Sequence, residues 1–176
     1  MIVTFEPHGA YYHPDHLAIQ RATTAAFFSS GVMGDEAPER LFYGALARDV
    51  FRGLAEASRG RGITDGLDPD VFGAAPGMIA VSFDARRYMD RKLSALAAHR
   101  SAFGVTLEML NNPPPGAMQM LQAFGPVMER EVFLLGGARG PVRRWPLPDF
   151  FDGLETAEFH LLVDTRSAAE ESVAQG

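Results

Sequence analysis

The sequence of 176 residues contains no cysteine. Without cysteine there is no disulfide framework and no thiolate metal site, so any bound metal ion must be held by histidine and carboxylate side chains. The sequence also contains no apolar run of the ~20 residues that a membrane helix requires. Its first residues, Met1 to Glu6, lack the basic region and cleavage site of a signal peptide. We therefore expect a cytoplasmic protein that does not insert into a membrane.

Positive charge is in deficit. Lys and Arg number 16 against 22 Asp and Glu, for a formal charge of -6, so nucleic acid and anionic lipid are not expected partners. The hydrophobic fraction of 47% and the charged fraction of 22% are typical of folded globular proteins. The length suits one domain. We expect that domain to span residues 1–166 and the small, polar residues 167–176 to form a flexible tail.

Apolar runs and helical patterns alternate along the chain, which predicts an α/β fold. Strands are predicted at residues 2–5, 41–43, 78–83, 132–135 and 159–163. Helices are predicted at residues 14–29, 45–57, 84–104 and 118–124, with an irregular loop at 58–77 and a turn at 111–115. The helix at 14–29 has apolar residues all round and is expected to be mostly buried.

The first strand raises a question about the domain. Residues 2–5, Ile-Val-Thr-Phe, read as a buried strand, and a buried strand needs a neighbour on each side. The pattern therefore raises the hypothesis that the first half of the domain is missing from this sequence. Two explanations stay open: the true start lies upstream, or the chain is short and inactive by itself.

Three of the five histidines, His8, His13 and His16, lie within nine residues just after this strand. His13 and His16 are three residues apart at the predicted start of a helix, so both imidazoles can face one point, and Asp15 between them can fix a tautomer by accepting an N–H bond. The carboxyl end of a strand is the usual place for a site in an α/β sheet. A His-x-x-His pair is, however, more often two surface or capping histidines, and His8 is expected to be exposed.

The full string around these histidines is more specific. Gly9-Ala10-Tyr11-Tyr12-His13-Pro14-Asp15-His16 resembles the second signature of the PIG-L or LmbE-like family of zinc-dependent N-acetylglucosaminyl deacetylases. Residues 88–101 are similar to a later helix of that family, with Ala102 where glutamine is usual, and residues 147–154 are similar to its closing motif. The resemblance covers residues 1–154 and corresponds to the second half of the family's domain.

The resemblance implies a partial Rossmann-like three-layer sandwich that lacks its N-terminal strands and helices. It also implies a zinc-dependent deacetylase acting on an N-acetylated amino-sugar conjugate. His16 would be a zinc ligand, His13 would assist the tetrahedral intermediate or protonate the leaving amine, Asp15 would orient His13, and Tyr11 would donate to the oxyanion. Tyr12 replaces a glycine that is usual in the family.

The family's first metal-binding motif, Ala-His-Pro-Asp-Asp-Glu, is absent from this sequence. In the family that motif provides two further zinc ligands and the general base. We therefore expect weak zinc binding and little or no hydrolysis from these 176 residues alone. The alternative is a non-catalytic remnant or oligomerisation module whose exposed sheet edge pairs with a second copy or with a complementing chain.

Overall fold

The structure is a computed structural model that describes residues 1–60, 64–99, 108–109, 112 and 124–154. The predicted turn at 111–115 and helix at 118–124 lie almost entirely outside the described residues. The strand at 159–163 and the tail at 167–176 lie wholly outside them, as does the end of the helix predicted at 84–104. Within the described part of the chain, no helix is long and apolar enough to cross a membrane.

The described residues form one open mixed sheet with helices. Its strands are β1 (Ile2–Phe5), β2 (Arg40–Ala45), β3 (Ile79–Asp84) and β4 (Arg130–Ala138), in the order β1-β2-β4-β3. The helices are α1 (Gly9–Tyr12), α2 (Pro14–Ser29), α3 (Arg48–Ala57), α4 (Pro69–Phe72) and α5 (Met89–Ala98). Short 3₁₀ segments occupy Ser30–Glu36, Pro76–Met78 and Arg86–Tyr88, and residues 124–129 are helical.

The connections confirm the α/β class and a partial Rossmann-like architecture. β1 and β2 are parallel, with Ile2 opposite Leu41 and Phe5 opposite Gly44, and α2 lies in the crossover between them. Parallel strands need a crossover of this kind. β4 runs antiparallel to both β2 and β3. The carboxyl ends of β1 and β2 therefore lie at one end of the sheet, where α1 and α2 begin.

The two faces of the sheet have separate cores because successive residues of a strand point to opposite faces. On one face, Phe27 of α2 packs with Leu41 and Tyr43 of β2. On the other, Phe42 packs with Val81 and with residues of the chain after β4. All of these side chains are buried.

Two burial expectations were wrong. β1 is an edge strand that pairs with β2 alone among the described residues, and Val3 and Phe5 remain 45% and 37% exposed. Helix α2 has the predicted bounds, but only Gln20 and Phe27 along it are buried. Ile19 and Phe28 are 49% and 59% exposed, because only one side of the helix contacts the sheet.

Other differences concern boundaries. Helix α3 begins at Arg48 rather than at residue 45, because Ala45 still belongs to β2 and pairs with Val132. The segment predicted to be irregular, 58–77, contains α4 and the start of a 3₁₀ turn. Asp84 accepts a hydrogen bond from the N–H of Arg86, but the N-cap residues are Ala85 for the short 3₁₀ turn and Tyr88 for α5.

Candidate active site

The loop between β1 and α2 has an unusual backbone. Gly9, Ala10 and Tyr12 have φ angles of 60°, 63° and 62°, and residues other than glycine seldom adopt such values. The carboxylate of Glu6, which is only 5% exposed, lies inside the loop. Its two oxygens accept the backbone N–H groups of His8 and Ala10, each at 2.6 Å. A strained backbone persists where the surroundings hold it, and here Glu6 provides that hold.

The ring of His16 is fixed from two sides. It stacks on Phe5 with 3.8 Å between ring centroids and an interplanar angle of 9°. Its Nδ1 lies 3.1 Å from the carbonyl oxygen of Gly9, and a carbonyl can only accept a hydrogen bond. In the neutral ring the proton is therefore on Nδ1 and the lone pair is on Nε2. This tautomer is the one that a metal ligand binding through Nε2 requires.

The ring of His13 has the opposite arrangement. His13 is the N-cap residue of α2, and its Nδ1 accepts the backbone N–H of Asp15 at 3.2 Å. In the neutral ring the proton is therefore on Nε2, which can donate a hydrogen bond. Among the described residues, Asp15 therefore contacts His13 through its backbone N–H group, and the carboxylate of Asp15 is exposed.

Tyr11 completes the group. Its ring centroid lies 5.8 Å from that of His13 and 5.5 Å from that of His16, in edge-to-face contacts. The centroids of the two imidazoles are 4.7 Å apart. Tyr11 is 47% exposed, so its hydroxyl can reach a ligand. Thus the structure places Tyr11, His13 and His16 together, with Asp15 next to them in the first turn of α2.

His8 lies apart from this group. Its Nδ1 is 3.0 Å from a carboxylate oxygen of Glu6, and its ring contacts those of Tyr12 and Phe72. His8 is half-buried rather than exposed as expected, because α4 brings Phe72 against it. Tyr12 packs edge-on against Phe72 at 4.8 Å. These contacts link the loop to α4.

The described histidine and carboxylate side chains do not form a complete metal site. Catalytic zinc is normally held by three protein ligands. Over the described ranges, no group of three or more His, Asp or Glu side chains is arranged to hold a metal ion. His16 offers one nitrogen, so these residues fit part of a zinc site and not the whole of it.

Comparison with known proteins identifies the group to which the chain is similar. No family model matches the chain. A curated relative from Saccharomonospora viridis, named 1D-myo-inositol 2-acetamido-2-deoxy-alpha-D-glucopyranoside deacetylase, is 33% identical over 158 residues, which are 88% of this chain and 53% of the relative. A relative of the same name from Thermomonospora curvata is 31% identical over 155 residues, covering 80% of this chain and 49% of the relative. The chain belongs to the PIG-L/LmbE-like deacetylase family. It spans about half the length of the curated relatives it matches.

Two other stretches that resemble the PIG-L/LmbE-like family have structural roles here. Lys92 of α5 donates to the carbonyl of Met128 at 2.6 Å and pairs with Glu131 at 2.9 Å, which ties α5 to β4. In the closing motif, the N–H of Leu147 donates to the carbonyl of Ala80. Both stretches therefore stabilise the sheet that positions the loop.

A cleft of about 620 Å³ lies beside the loop. Its walls include Phe5, Glu6 and Ala10 from the β1 end and Ile19 from α2, and most of its lining is apolar. Its other walls include Gly44 and Ala45 of β2 and Val132 of β4, so the cleft lies over the sheet, and Tyr11, His13 and His16 are not among its lining residues.

Two surface ion pairs shift the ionisation of their members. Hydrogen bonds from Arg86 lower the pKa of Asp84 from 3.8 to about 2. A hydrogen bond from Arg144 lowers the pKa of Asp152. Each carboxylate therefore stays charged at neutral pH and holds its arginine in place.

Glu6 is the residue of this site that the sequence analysis missed. A carboxylate at the end of a strand, before Pro7, looks like an ordinary turn residue. Its role depends on the left-handed backbone at Gly9 and Ala10, which directs two N–H groups inward. The available signal was a glutamate placed just before a short loop that contains Gly9 and two histidines, His8 and His13.

Proposed function

We propose that this chain carries part of the active site of an N-deacetylase that acts on an N-acetylglucosamine-type conjugate. The observation that carries the proposal is the pair of imidazoles with opposite tautomers, His13 and His16, whose centroids are 4.7 Å apart. The relatives named as deacetylases of an acetamido-sugar linked to inositol support the choice of substrate class.

Amide hydrolysis needs a hydrogen-bond or proton donor at two atoms of the substrate, the carbonyl oxygen and the amine nitrogen. The carbonyl oxygen gains negative charge when it is attacked, and the amine nitrogen must receive a proton to leave. Nε2–H of His13 is the donor we assign to the intermediate or the leaving amine, and the hydroxyl of Tyr11 is the donor we assign to the oxyanion. The N–H of Asp15 keeps the proton of His13 on Nε2, which suits this role. Nε2 of His16 is then left for a metal ion.

Zinc is the metal we propose for His16. The described residues hold one ligand of such a site and not the three that catalytic zinc uses. The remaining ligands must come from outside them. By itself this chain is therefore expected to bind zinc weakly and to hydrolyse little or no substrate.

The test is to supply the rest of the domain. The chain is co-expressed with the portion of the Saccharomonospora viridis relative that it does not match, and acetate release is measured on an inositol-linked 2-acetamido-2-deoxyglucose. We expect zinc-dependent activity from the complex. His13→Ala should lower kcat by about 100-fold or more, as is typical for loss of a general acid. Arg21→Gln, on an exposed part of α2, is the matched control and should keep full activity. A complex that is folded, zinc-loaded and inactive would contradict the proposal.

A second candidate function is that of a non-catalytic module that pairs with another chain. The observation that favours it is the open side of β1, where Val3 and Phe5 are exposed next to the exposed Ile19 of α2. Strand edges and apolar faces of this kind promote association. The occupant we propose is a polypeptide equivalent to the unmatched part of the relatives, since the chain spans about half their length.

Light scattering on the purified chain, alone and mixed with the unmatched portion of the relative, distinguishes the outcomes. We expect a one-to-one complex, and Val3→Lys on the β1 edge should weaken it. Val71→Lys, at an exposed position of α4, serves as the control. If the chain remains monomeric in the presence of the added polypeptide, or forms a stable dimer of two identical copies, the proposed occupant is ruled out.

A further inference from the structure

Glu6 and His16 hold opposite sides of the same peptide group. A peptide group is planar and rigid, so the carbonyl of Gly9 and the N–H of Ala10 move together. The N–H of Ala10 donates to Oε1 of Glu6 at 2.6 Å. The carbonyl of Gly9 accepts from Nδ1 of His16 at 3.1 Å. Whatever fixes the Ala10 N–H therefore also fixes the carbonyl that faces the imidazole.

Glu6 also holds the two peptide groups that come before this one. Its Oε2 accepts the backbone N–H of His8 at 2.6 Å, and its own carbonyl accepts the N–H of Gly9 at 2.8 Å. Three consecutive N–H groups thus point at one residue. Ala10 has a φ of 63°, a backbone conformation that is unfavourable for any residue other than glycine. Without the carboxylate of Glu6, the loop would therefore relax to a less strained backbone conformation.

The consequence reaches the nitrogen that would bind a metal. With the Gly9 carbonyl in place, the proton of His16 resides on Nδ1 and the lone pair on Nε2. If that carbonyl rotates away, nothing among the described residues keeps the proton on Nδ1. The stacking of His16 on Phe5 fixes the plane of the ring, but stacking does not distinguish one nitrogen from the other.

We propose that Glu6 is a positioning residue that sets the tautomer of His16 through the Gly9–Ala10 peptide group. It does not touch substrate in this role and acts only through the backbone. The inference rests on the proposed function for its significance, because the tautomer matters when His16 is a metal ligand. The tautomer itself can be tested without metal, substrate or activity.

The experiment is a long-range ¹⁵N–¹H correlation spectrum of the histidine rings of the full chain at about pH 8.5, where ordinary histidines are neutral. In the native protein we expect His16 with its proton on Nδ1 and His13 with its proton on Nε2. A native spectrum with the His16 proton on Nε2 would overturn the proposal directly, before any variant is made.

The informative variant is Glu6→Ala, which removes both oxygens that accept the backbone N–H groups of His8 and Ala10. We expect His16 to change to a mixture of tautomers while His13 stays unchanged as an internal control. Glu56→Ala, on the exposed side of α3, is the matched control and should leave both rings as they are. An unchanged His16 in folded Glu6→Ala protein would refute the role of Glu6.

A variant that does not fold would give no spectrum, so a second protein is needed. Glu6→Asp keeps the negative charge but shortens the side chain by one methylene, which draws its oxygens back from the N–H groups of His8 and Ala10. This variant should fold and show the tautomer mixture at His16. If its His16 keeps the native tautomer, the proposal fails. Failure of the deacetylase assay described above would leave this result intact, so the two hypotheses are tested separately.

Discussion

At the scale of single residues, the His-x-x-His spacing determines less than it first suggests. The spacing predicted that His13 and His16 would face one point, and the rings do lie together. It could not predict their opposite tautomers, because these depend on the Gly9 carbonyl in one case and the Asp15 N–H in the other. Gly9 lies seven residues before His16 in the sequence. Its carbonyl is positioned by a left-handed backbone, which a periodic sequence pattern does not reveal.

Gly9 should be intolerant of any side chain. A Cβ at this position would lie 3.0 Å from Cβ of His16 and 3.0 Å from the backbone nitrogen of Leu17, at a φ of +60°. We expect Gly9→Ala to lower the free energy of unfolding by about 2–4 kcal/mol, from backbone strain plus overpacking. Urea denaturation measures this change.

Gly66→Ala is the control for backbone strain alone, because its φ is +81° and nothing lies within 4 Å of the added Cβ. It should cost about 1–2 kcal/mol. Equal losses for the two variants would mean that His16 and Leu17 move aside without cost, contrary to a tightly packed loop.

Asp84 gives a prediction with a defined pH window. Arg86 lowers the pKa of Asp84 from 3.8 to about 2. A carboxyl group with a lowered pKa in the folded state stabilises the protein above its unfolded pKa, and this contribution disappears as the pH falls through the folded value. The stability difference between native protein and Asp84→Asn should therefore be constant above about pH 5 and shrink as the pH falls from 3.8 toward about 2.

Carboxyl ¹³C shifts of Asp84 measured against pH provide the direct check. A midpoint near 3.8 would show that the contact with Arg86 does not persist in solution. Arg86→Gln should move the midpoint up toward 3.8, because the arginine hydrogen bond is the largest cause of the lowered pKa.

At the scale of elements, glycine in β4 shows why strand bounds were underestimated. The sequence predicted a strand at 132–135, where the apolar run ends just before Gly136 and Gly137. The observed strand continues to Ala138. A Cβ on Gly136 would lie 2.6 Å from the ring of Tyr43, and one on Gly137 would lie 2.6 Å from that of Phe27. These glycines therefore let two aromatic rings lie directly on the backbone, a tertiary effect that local propensity does not contain.

We expect Gly137→Ala to destabilise the protein by about 1–3 kcal/mol, because the new methyl group must displace the buried ring of Phe27. Gly53→Ala is the matched control. Gly53 lies in helix α3 with no atom within 4 Å of the added Cβ, so alanine should stabilise the helix by about 0.5–1 kcal/mol. Thermal unfolding of both variants measures the two changes, which should have opposite signs. A neutral Gly137→Ala would show that α2 shifts freely over the sheet.

Helix α2 shows the reverse case, in which the bounds were predictable and the burial was not. Pro14 and Asp15 mark its start in the sequence, and it begins at Pro14 in the structure. Its burial depends on what packs against each of its sides. The described chain covers only the side that carries Phe27, so the apolar residues on the other sides stay exposed.

At the scale of the whole molecule, the α/β class followed from the alternation of strand and helix patterns, whereas the sheet order did not. β4 lies between β2 and β3. It pairs with β2 residues about 90 positions away and with β3 residues about 50 positions away, and no local pattern encodes these pairings. The family was also recognisable from a short string of residues. A short string does not reveal how many ligands a metal site would have, and the described residues contain no group of three or more that could hold a metal ion.

Zinc titration of the purified chain follows from that shortage. We expect no saturation at one equivalent in the sub-micromolar range, since a single well-oriented imidazole is a poor zinc site. Isothermal calorimetry, with His16→Asn as the matched control, measures the affinity and its source. Tight stoichiometric binding that EDTA reverses would contradict the expectation and show that the chain already contains a complete set of ligands.

The contact between Tyr12 and Phe72 has a consequence for how this protein can diverge. It joins the histidine loop to α4, which lies in the segment with the least regular sequence pattern. Substitution of Phe72 by a smaller residue would therefore affect the loop, because it would remove the ring that supports Tyr12 in its left-handed conformation. Among orthologues, a small residue at 72 should accompany a glycine at 12, and a bulky aromatic at 72 should accompany a tyrosine.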